Sequence, residues 1–343
     1  MAQDWYTPET AAPMASPPLP ASAFELRPLS LGEILDRTFA VYRSRFWLFA
    51  GIAVISGAIE LLTNLANLLV HHIVLVKWGV RTATTVNSLA SFPVLAVTLL
   101  ATSVTQAATV YALSEIYLGH ETTVIEALKA TIGRWLRYVG IAFWMGWSAV
   151  WVGMLLVIPA FLLIATRVPA LTVVGGLLMI VGVLGGSVYG AIAYLRNSLG
   201  IQAAVIEGSG VRASMRRSKV LTSGAKGRIF VVLLIVFAML MVVTTVQAPL
   251  IFVVLKSPLQ EHTVAQIVSL LIQFVAHTVV SPVGLIGLSL VYFDQRVRKE
   301  AFDVLMLLGP EVPAPVPAPV PEPVLYAEPA LDPADPMGSD GRF

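Results

Sequence analysis

Residues 26–57 read LRPLSLGEILDRTFAVYRSRFWLFAGIAVISG, a charged amphipathic segment that runs directly into an apolar one. The charged residues end at Arg45, and the next one along the chain is Glu60. The whole chain is 57% hydrophobic and 12% charged, with a mean hydropathy of +0.82, which is more apolar than a water-soluble domain. The sequence therefore predicts an all-α integral membrane protein in which charged helices precede transmembrane helices.

Six apolar windows are long enough to cross a bilayer as helices, which takes about 20 residues. They cover residues 46–70, 89–114, 138–166, 170–195, 229–255 and 264–292. Only Arg167, Val168 and Pro169 separate the third window from the fourth. This short connection predicts a tight helical hairpin.

The two ends of the chain differ in composition from its middle. Residues 1–25 have neither the basic start nor the apolar run of a secretory signal peptide. Residues 309–343 are acidic and punctuated by proline, which favours an extended tail without a core. We expect one polytopic membrane domain, residues 26–308, between two disordered cytoplasmic tails.

The basic residues are distributed unevenly between the two sides of the six windows. Of the 22 Lys and Arg residues, only Lys77, Arg81, Arg167 and Lys256 lie in the connections on one side. By the positive-inside rule the other side, and with it both termini, faces the cytoplasm. We expect a bacterial-type cytoplasmic (inner) membrane protein whose partners are the anionic lipids of the cytoplasmic leaflet.

Two short segments carry the same signature of a helix start. Ser30 with Glu33, and Thr123 with Glu126, match the capping box, in which a hydroxyl and a carboxylate bind free backbone N–H groups. Two apolar windows follow each box, and a weaker third copy begins at Ser209. We expect three repeats of a cytoplasmic interfacial helix and a transmembrane hairpin. The alternative is that these are ordinary short helices in basic loops.

A basic segment without an acidic residue, residues 212–228, precedes the fifth window. Each Lys or Arg beside a membrane is worth about 1 kcal/mol against anionic lipid. The candidate surface for anionic lipid or a protein partner consists of Arg212, Arg216, Arg217, Lys219 and Arg228. The alternative is that these charges only set the topology.

A few polar residues lie inside the apolar windows. Glu60 follows Phe46 by about 21 Å along a helix, well inside the hydrocarbon, where a charge costs about 2.5–3.5 kcal/mol. It is either a proton or cation site, or a protonated acid that hydrogen-bonds to a neighbouring helix. The candidate intramembrane polar site consists of Glu60, His277, Gln273, Gln106 and Gln247. The glutamines alone are typical of hydrogen bonds between helices.

Small residues form a ridge in the fourth window, at Gly182, Gly186 and Gly190. Glycines at intervals of four lie on one helix face and allow another helix to approach closely. We expect helix packing here, within one chain or between chains. The oligomeric state stays open.

Signatures of common enzyme classes are missing. The chain has no G-x-S-x-G, no H-E-x-x-H and no Walker A loop, and its five His residues show no metal-ligand spacing. We expect no catalytic residue, cofactor or metal, and an intramembrane hydrolase is the remaining enzymatic alternative. Nucleic acid is not an expected partner, because the basic residues lie at the ends of the windows, where lipid explains them.

Three segments also carry a family resemblance: LRPLSLGEILDRTFAVYRSRF (26–46), VIEGSGVRASMRRSKVLTSGAKGRI (205–229) and VYFDQRVRKEAFDVLM (291–306). Together they resemble the membrane domain of glycerophosphoryl diester phosphodiesterases, a group with many stand-alone bacterial members that lack the enzyme. The resemblance covers about residues 26–305 and implies a polytopic inner-membrane protein. The catalytic TIM barrel of those enzymes has no counterpart here.

Two functions follow from these patterns. The repeated basic helices and the resemblance favour a non-catalytic membrane module that organises lipids or partners at the cytoplasmic leaflet. The polar residues inside the windows favour the alternative, a secondary transporter with an intramembrane Glu/His site.

Overall fold

The computed structural model describes residues 28–256 and 259–300, and α-helices occupy almost all of them. The helices are α1 (Leu31–Ser44), α2 (Phe46–Tyr117), α3 (Val124–Ile132), α4 (Trp135–Ala165), α5 (Pro169–Asn197), α6 (Gly200–Ile206), α7 (Val211–Thr222), α8 (Lys226–Lys256) and α9 (Leu259–Glu300). Within these residues the fold is all-α, as the sequence predicts. The two predicted tails, 1–25 and 309–343, lie outside the described residues.

Within the described part of the chain, five helices are long and apolar enough to cross a membrane: α2, α4, α5, α8 and α9. The chain is therefore a multi-pass membrane protein by the length and composition of its helices. The six predicted windows correspond to five helices because the first two windows both belong to α2.

The long helix α2 doubles back on itself. Its 72 residues would extend about 108 Å if they were straight, yet its two ends meet. The guanidinium of Arg45, just before α2, lies 3.0 Å from a carboxylate oxygen of Glu121, just after it. The helix is interrupted at Gly79, whose φ of 80° suits glycine and strains other residues. α2 thus has a first arm, residues 46–78, and a second arm, residues 80–117.

Four helices too short to cross a bilayer, α1, α3, α6 and α7, gather at one end of the molecule, the short-helix end. The Arg45–Glu121 pair joins the end of α1 to the start of α3. Arg137, near the start of α4, donates to the Gly208 carbonyl between α6 and α7 at 2.7 Å. Lys299, at the end of α9, donates to the Ser223 carbonyl after α7 at 2.6 Å.

Both predicted capping boxes are formed. The Ser30 hydroxyl accepts from the Glu33 N–H at 3.3 Å, and the Glu33 carboxylate accepts from the Ser30 N–H at 2.7 Å. The same reciprocal bonds join Thr123 and Glu126 at 3.3 and 2.9 Å. The third helix of this kind, α7, begins after Gly210 without a side-chain cap.

The helix α9 lies at the centre and packs against α1, α2 and α8. Its Ile286 and Tyr292 are fully buried in one apolar cluster with Ile34 of α1 and Phe49 of α2. The hairpin of α4 and α5 is more peripheral, and only residues 166–168 connect the two helices.

The predicted glycine ridge packs inside this hairpin. A Cβ on Gly186 would lie 2.6 Å from the Gly153 Cα, and one on Gly190 would lie 2.6 Å from the Ala149 carbonyl oxygen. A Cβ on Gly182 would lie 2.9 Å from the Leu156 Cβ. The ridge is therefore used within the chain, where it lets α4 and α5 touch through their backbones.

Candidate functional site

Polar side chains recur at helical spacing on two helices that pack together. Intervals of three and four place each set on one helix face, and shared cavities show that the two faces meet. We name the set the polar track; it consists of Ser56, Glu60, Asn64, Asn67 and His71 on α2 and Gln266, Ser269, Gln273 and His277 on α9. It spans about 22 Å, since 15 residues separate its first and last members on α2.

Glu60 and His277 meet near the inner end of the polar track, which is the end closer to the short-helix end of the molecule. The Glu60 Oε2 and the His277 Nδ1 are 3.6 Å apart. The second ring nitrogen of His277 lies 3.1 Å from the Ser56 hydroxyl. The imidazole therefore lies between a hydroxyl and a carboxylate. The fold brings His277 to Glu60 although the two residues are 217 positions apart in the sequence.

Two of the three predicted glutamines are joined through a serine. The Gln273 amide donates to the Ser269 hydroxyl at 3.3 Å, and Ser269 donates to the Gln247 side-chain oxygen of α8 at 3.2 Å. Gln106 lies on the second arm of α2 and is not among the residues that line the two cavities of the polar track.

Those two cavities differ greatly in size. The outer one has a volume of about 390 Å³, and Asn64, Asn67, His71, Asn87, Gln266, Ser269 and Gln273 supply its polar lining. The inner one has about 10 Å³ and lies beside Glu60, Asn64 and Gln273. The Asn67 Oδ1 and the His71 Nδ1 are buried without a hydrogen-bond partner in the described structure. The helix faces around the outer cavity therefore contain polar atoms that the described residues leave unpaired.

The polar track closes toward the short-helix end. At Gly57 the helices come so close that a Cβ would lie 3.2 Å from the Phe274 ring. Beyond Ser56 and His277, the last members of the track, α2 and α9 carry buried apolar residues, among them Phe49 and Ile52 of α2 and Val283 of α9. The track is therefore a crevice with one closed end.

A buried carboxylate organises the short-helix end. The side chain of Asp294 is 0% exposed and lies 2.6 Å from the Arg228 Nη1 and 2.9 Å from the Arg298 Nε. Asp294 also accepts from the Leu29 N–H at 2.8 Å, while Arg298 donates to the Leu29 carbonyl at 2.7 Å. These bonds tie the segment before α1 to α8 and α9.

A second ion-pair group fixes α7. The Arg217 Nε donates to Glu207 at 2.7 Å, and a further Arg217 nitrogen pairs with Glu300 at the end of α9. Burial alone would lower the pKa of Arg217, but these two carboxylates outweigh it and hold the pKa above its ordinary value. The buried Tyr292 hydroxyl also donates to Glu207, at 2.7 Å. The rotation of α7 about its axis is thereby set.

The five basic residues predicted as one surface fall into two groups. Arg217 and Arg228 point into the protein and are neutralised by Glu207, Glu300 and Asp294. Arg212, Arg216 and Lys219, spaced by four and three, lie together on the exposed face of α7. The opposite face of α7 buries Ser214, Met215, Ser218, Leu221 and Thr222. Burial of this face therefore holds α7 against the rest of the protein and leaves the three cations on its outer side.

Sequence reasoning missed the three acidic partners and most of the polar track. Asp294 lies four residues before Arg298, a spacing typical of a helical ion pair. The polar residues of α2 show the spacing of one helix face, so the signal was present there as well. Neither pattern identifies the partner helix, because the partners lie far away in the sequence.

Within residues 28–256 and 259–300, no cluster of three or more His, Asp or Glu side chains could hold a metal ion. No family model matches the chain. Comparisons with curated proteins and with solved structures also found no match.

Proposed function

We propose that this protein is a non-catalytic inner-membrane module that binds anionic lipid through α7 at the cytoplasmic leaflet. The observation that carries the proposal is the exposed face of α7, where Arg212, Arg216 and Lys219 lie side by side and form no ion pair within the described residues. Three adjacent cations are worth roughly 3 kcal/mol against an anionic leaflet. The resemblance to stand-alone members of the phosphodiesterase membrane-domain family agrees with a role without catalysis.

The orientation in this proposal is a six-crossing topology with the short-helix end in the cytoplasm. Both arms of α2 exceed the roughly 20 residues that a crossing requires, and Lys77 and Arg81 flank the turn between them at the far end. The three repeats would then begin at α1, α3 and α7. Single cysteines at residues 15, 79 and 325 of this cysteine-free chain test it. An impermeant reagent should label only residue 79 in intact cells, and labelling at 15 or 325 contradicts the topology.

The basic face of α7 is held in a fixed orientation. Lys299 donates to the Val220 and Ser223 carbonyls at the end of α7, each at 2.6 Å. The Ser218 hydroxyl accepts from the Leu199 N–H at 3.2 Å on the buried side. Because these bonds need no ligand, the three cations are presented to the leaflet without a conformational cost on binding.

Lipid is favoured over a protein partner because α7 is not the only helix at this end with exposed basic residues. On α3 and at the start of α4, exposed basic residues lie beside exposed apolar ones. Ile132 and Leu136 are 58% and 67% exposed. Lys129, which precedes them, and Arg134, which lies between them, are exposed as well. An apolar surface fringed by cations is typical of a helix that lies in the headgroup region.

The test is the combined variant Arg212→Gln, Arg216→Gln and Lys219→Gln. The purified variant should retain several-fold less phosphatidylglycerol per chain than the wild type, at equal expression and unchanged thermal stability. The matched control is Lys77→Gln, Arg81→Gln and Arg167→Gln, which removes the same charge at the far end and should leave this retention unchanged. Equal lipid retention in the first variant, with or without loss of an acidic protein partner, contradicts the proposal.

A second candidate function, secondary transport, is favoured by the 3.6 Å approach of Glu60 to His277. An acid and an imidazole paired inside a membrane are typical of proton and ion pathways. Glu60→Gln preserves shape and should abolish uptake by a strain that depends on this protein. Normal uptake with that variant excludes a transport role for the pair.

A further inference from the structure

The inner cavity of the polar track is a small space whose lining includes three polar side chains. Its volume of about 10 Å³ corresponds to about one water-sized sphere. Glu60, Asn64 and Gln273 are its polar residues, and Gly57, Leu61, Leu270 and Phe274 complete its walls. It can hold a single small particle with apolar walls on the remaining sides.

The two amide oxygens beside this space accept no hydrogen bond from the described residues. The Asn64 side-chain N–H donates to the Glu60 carbonyl oxygen at 2.8 Å, one turn back along α2. The Gln273 side-chain N–H donates to the Ser269 hydroxyl at 3.3 Å. Each amide nitrogen therefore has a partner in the described structure, while both amide oxygens are available to a ligand.

The Glu60 carboxylate is incompletely paired. Within the described residues its carboxylate accepts no hydrogen bond, and its ion-pair contact, the His277 Nδ1, lies 3.6 Å away, which is beyond hydrogen-bond distance. Its side chain is 38% exposed although it lies about 21 Å along α2 from Phe46. A carboxylate at such depth needs a compensating partner.

From this arrangement we infer that Glu60, Asn64 and Gln273 bind one dehydrated alkali cation. Carboxylate and amide oxygens are the ligands that hard cations prefer. One carboxylate balances one positive charge, which selects a monovalent over a divalent ion. The one-water volume requires that the ion give up its hydration shell, and the three oxygens replace part of it.

The outer cavity supplies the route of access. Its 390 Å³ can hold a hydrated ion, and it shares Asn64 and Gln273 with the inner cavity. The closure at Gly57 and Phe274 prevents passage toward the short-helix end. The ion therefore enters and leaves by the far end, and the site binds an ion without conducting it through the molecule in this conformation.

This inference makes no use of α7, so it stands or fails separately from the lipid-binding function. The combined variant of Arg212, Arg216 and Lys219 leaves all three cation ligands in place, and cation binding should persist in it unchanged.

The experiment is thermal unfolding of the full-length protein in detergent, followed by tryptophan fluorescence. Titrations with NaCl and with KCl are compared at constant ionic strength with N-methyl-D-glucamine chloride as the replacement salt. A ligand that binds only the folded state raises Tm with its concentration. We expect a saturable rise in Tm with at least one alkali cation and none with the bulky organic cation. Equal Tm values in all three salts overturn the inference.

Two variants localise the effect. Glu60→Gln keeps the shape of the side chain and should remove the alkali-dependent rise in Tm, while an unaltered rise overturns the assignment. Asn64→Asp adds a second carboxylate and should give the site a response to CaCl₂ at least tenfold stronger than that of the wild type. If Glu60→Gln does not fold, an Asn64→Asp variant that gains no response to CaCl₂ overturns the assignment instead.

Discussion

The α4–α5 hairpin and the α2–α9 pair are both helix pairs of membrane-spanning length, but opposite features hold them together. α4 and α5 touch through the backbones of Gly153, Gly186 and Gly190, whereas α2 and α9 meet along polar side chains over the outer part of their interface. The most apolar stretch of α4 has a mean hydropathy of 2.4, but only 6% of its residues are buried. The corresponding stretch of α9 has a lower mean hydropathy, 1.9, yet 61% of its residues are buried. Hydropathy thus identifies spanning helices, while polarity on one face indicates which of them is central.

The largest loss of stability is expected at Asp294, which joins the central helix α9 to α8 and to the segment before α1. Asp294→Ala removes a fully buried carboxylate and leaves Arg228 and Arg298, whose side chains are 30% and 33% exposed, without their ion-pair partner. Removing one partner of a buried ion pair costs about 3–5 kcal/mol of unfolding free energy, and the partial exposure of the two arginines places the expected loss at the lower end of this range. Thermal or denaturant unfolding of the purified protein measures the loss.

The control for Asp294 is the exposed pair at the same end of the molecule. Glu121→Gln removes a carboxylate that is 83% exposed and pairs with Arg45, so we expect a change below about 0.5 kcal/mol. Equal losses of unfolding free energy in the two variants would show that the buried ion pairs of Asp294 stabilise the fold no more than an exposed pair does.

An intermediate effect is expected in the glycine-packed hairpin. Gly186→Ala places a methyl group 2.6 Å from the Gly153 Cα, a distance that requires the helices to separate. Overpacking of this kind costs about 1–3 kcal/mol. The adjacent Gly185→Ala meets nothing within 4 Å and should be neutral or slightly stabilising. If both variants unfold alike, the close backbone contact does not stabilise the hairpin.

The smallest effect is expected where α8 joins the polar track. Gln247→Leu removes the acceptor of the Ser269 hydroxyl but leaves Ser269 with Gln273. A hydrogen bond between membrane helices averages about 0.6 kcal/mol, and unfolding measurements should give a loss of this order. Gln106→Leu, outside the two cavities, serves as the reference. A loss of several kcal/mol for Gln247→Leu would mean that the track behaves as one cooperative network.

Much of the secondary structure followed from local sequence. Apolar windows located α4, α5, α8 and α9, because hydrocarbon thickness imposes a minimum length on a spanning helix. The capping boxes at Ser30 and Thr123 were predictable, because their partners are only three residues away. A reversal was predicted between the windows 46–70 and 89–114, but its position at Gly79 was not, since a single glycine is not a sufficient turn signal.

The candidate sites were predictable only in part. Glu60 and His277 stood out because each is ionisable inside an apolar window, but nothing in their spacing showed that they meet. Arg217 was grouped with its neighbour Arg216, although consecutive residues on a helix point about 100° apart. Its inward direction depends on Glu207 and Glu300, whose proximity is a product of the tertiary fold.

The bond from Leu29 to Asp294 joins residues 265 positions apart. At a translation rate of 5–20 residues per second, roughly 13–53 s separate the synthesis of the two partners. Throughout that interval α1 and α2 lack their final neighbour α9, and Arg228, which is 66 positions before Asp294, lacks its carboxylate partner for roughly 3–13 s. The α4–α5 hairpin, with its three-residue connection, can by contrast close as soon as it emerges. The segment before α1 is therefore joined to its final partner only after α9 has been synthesised.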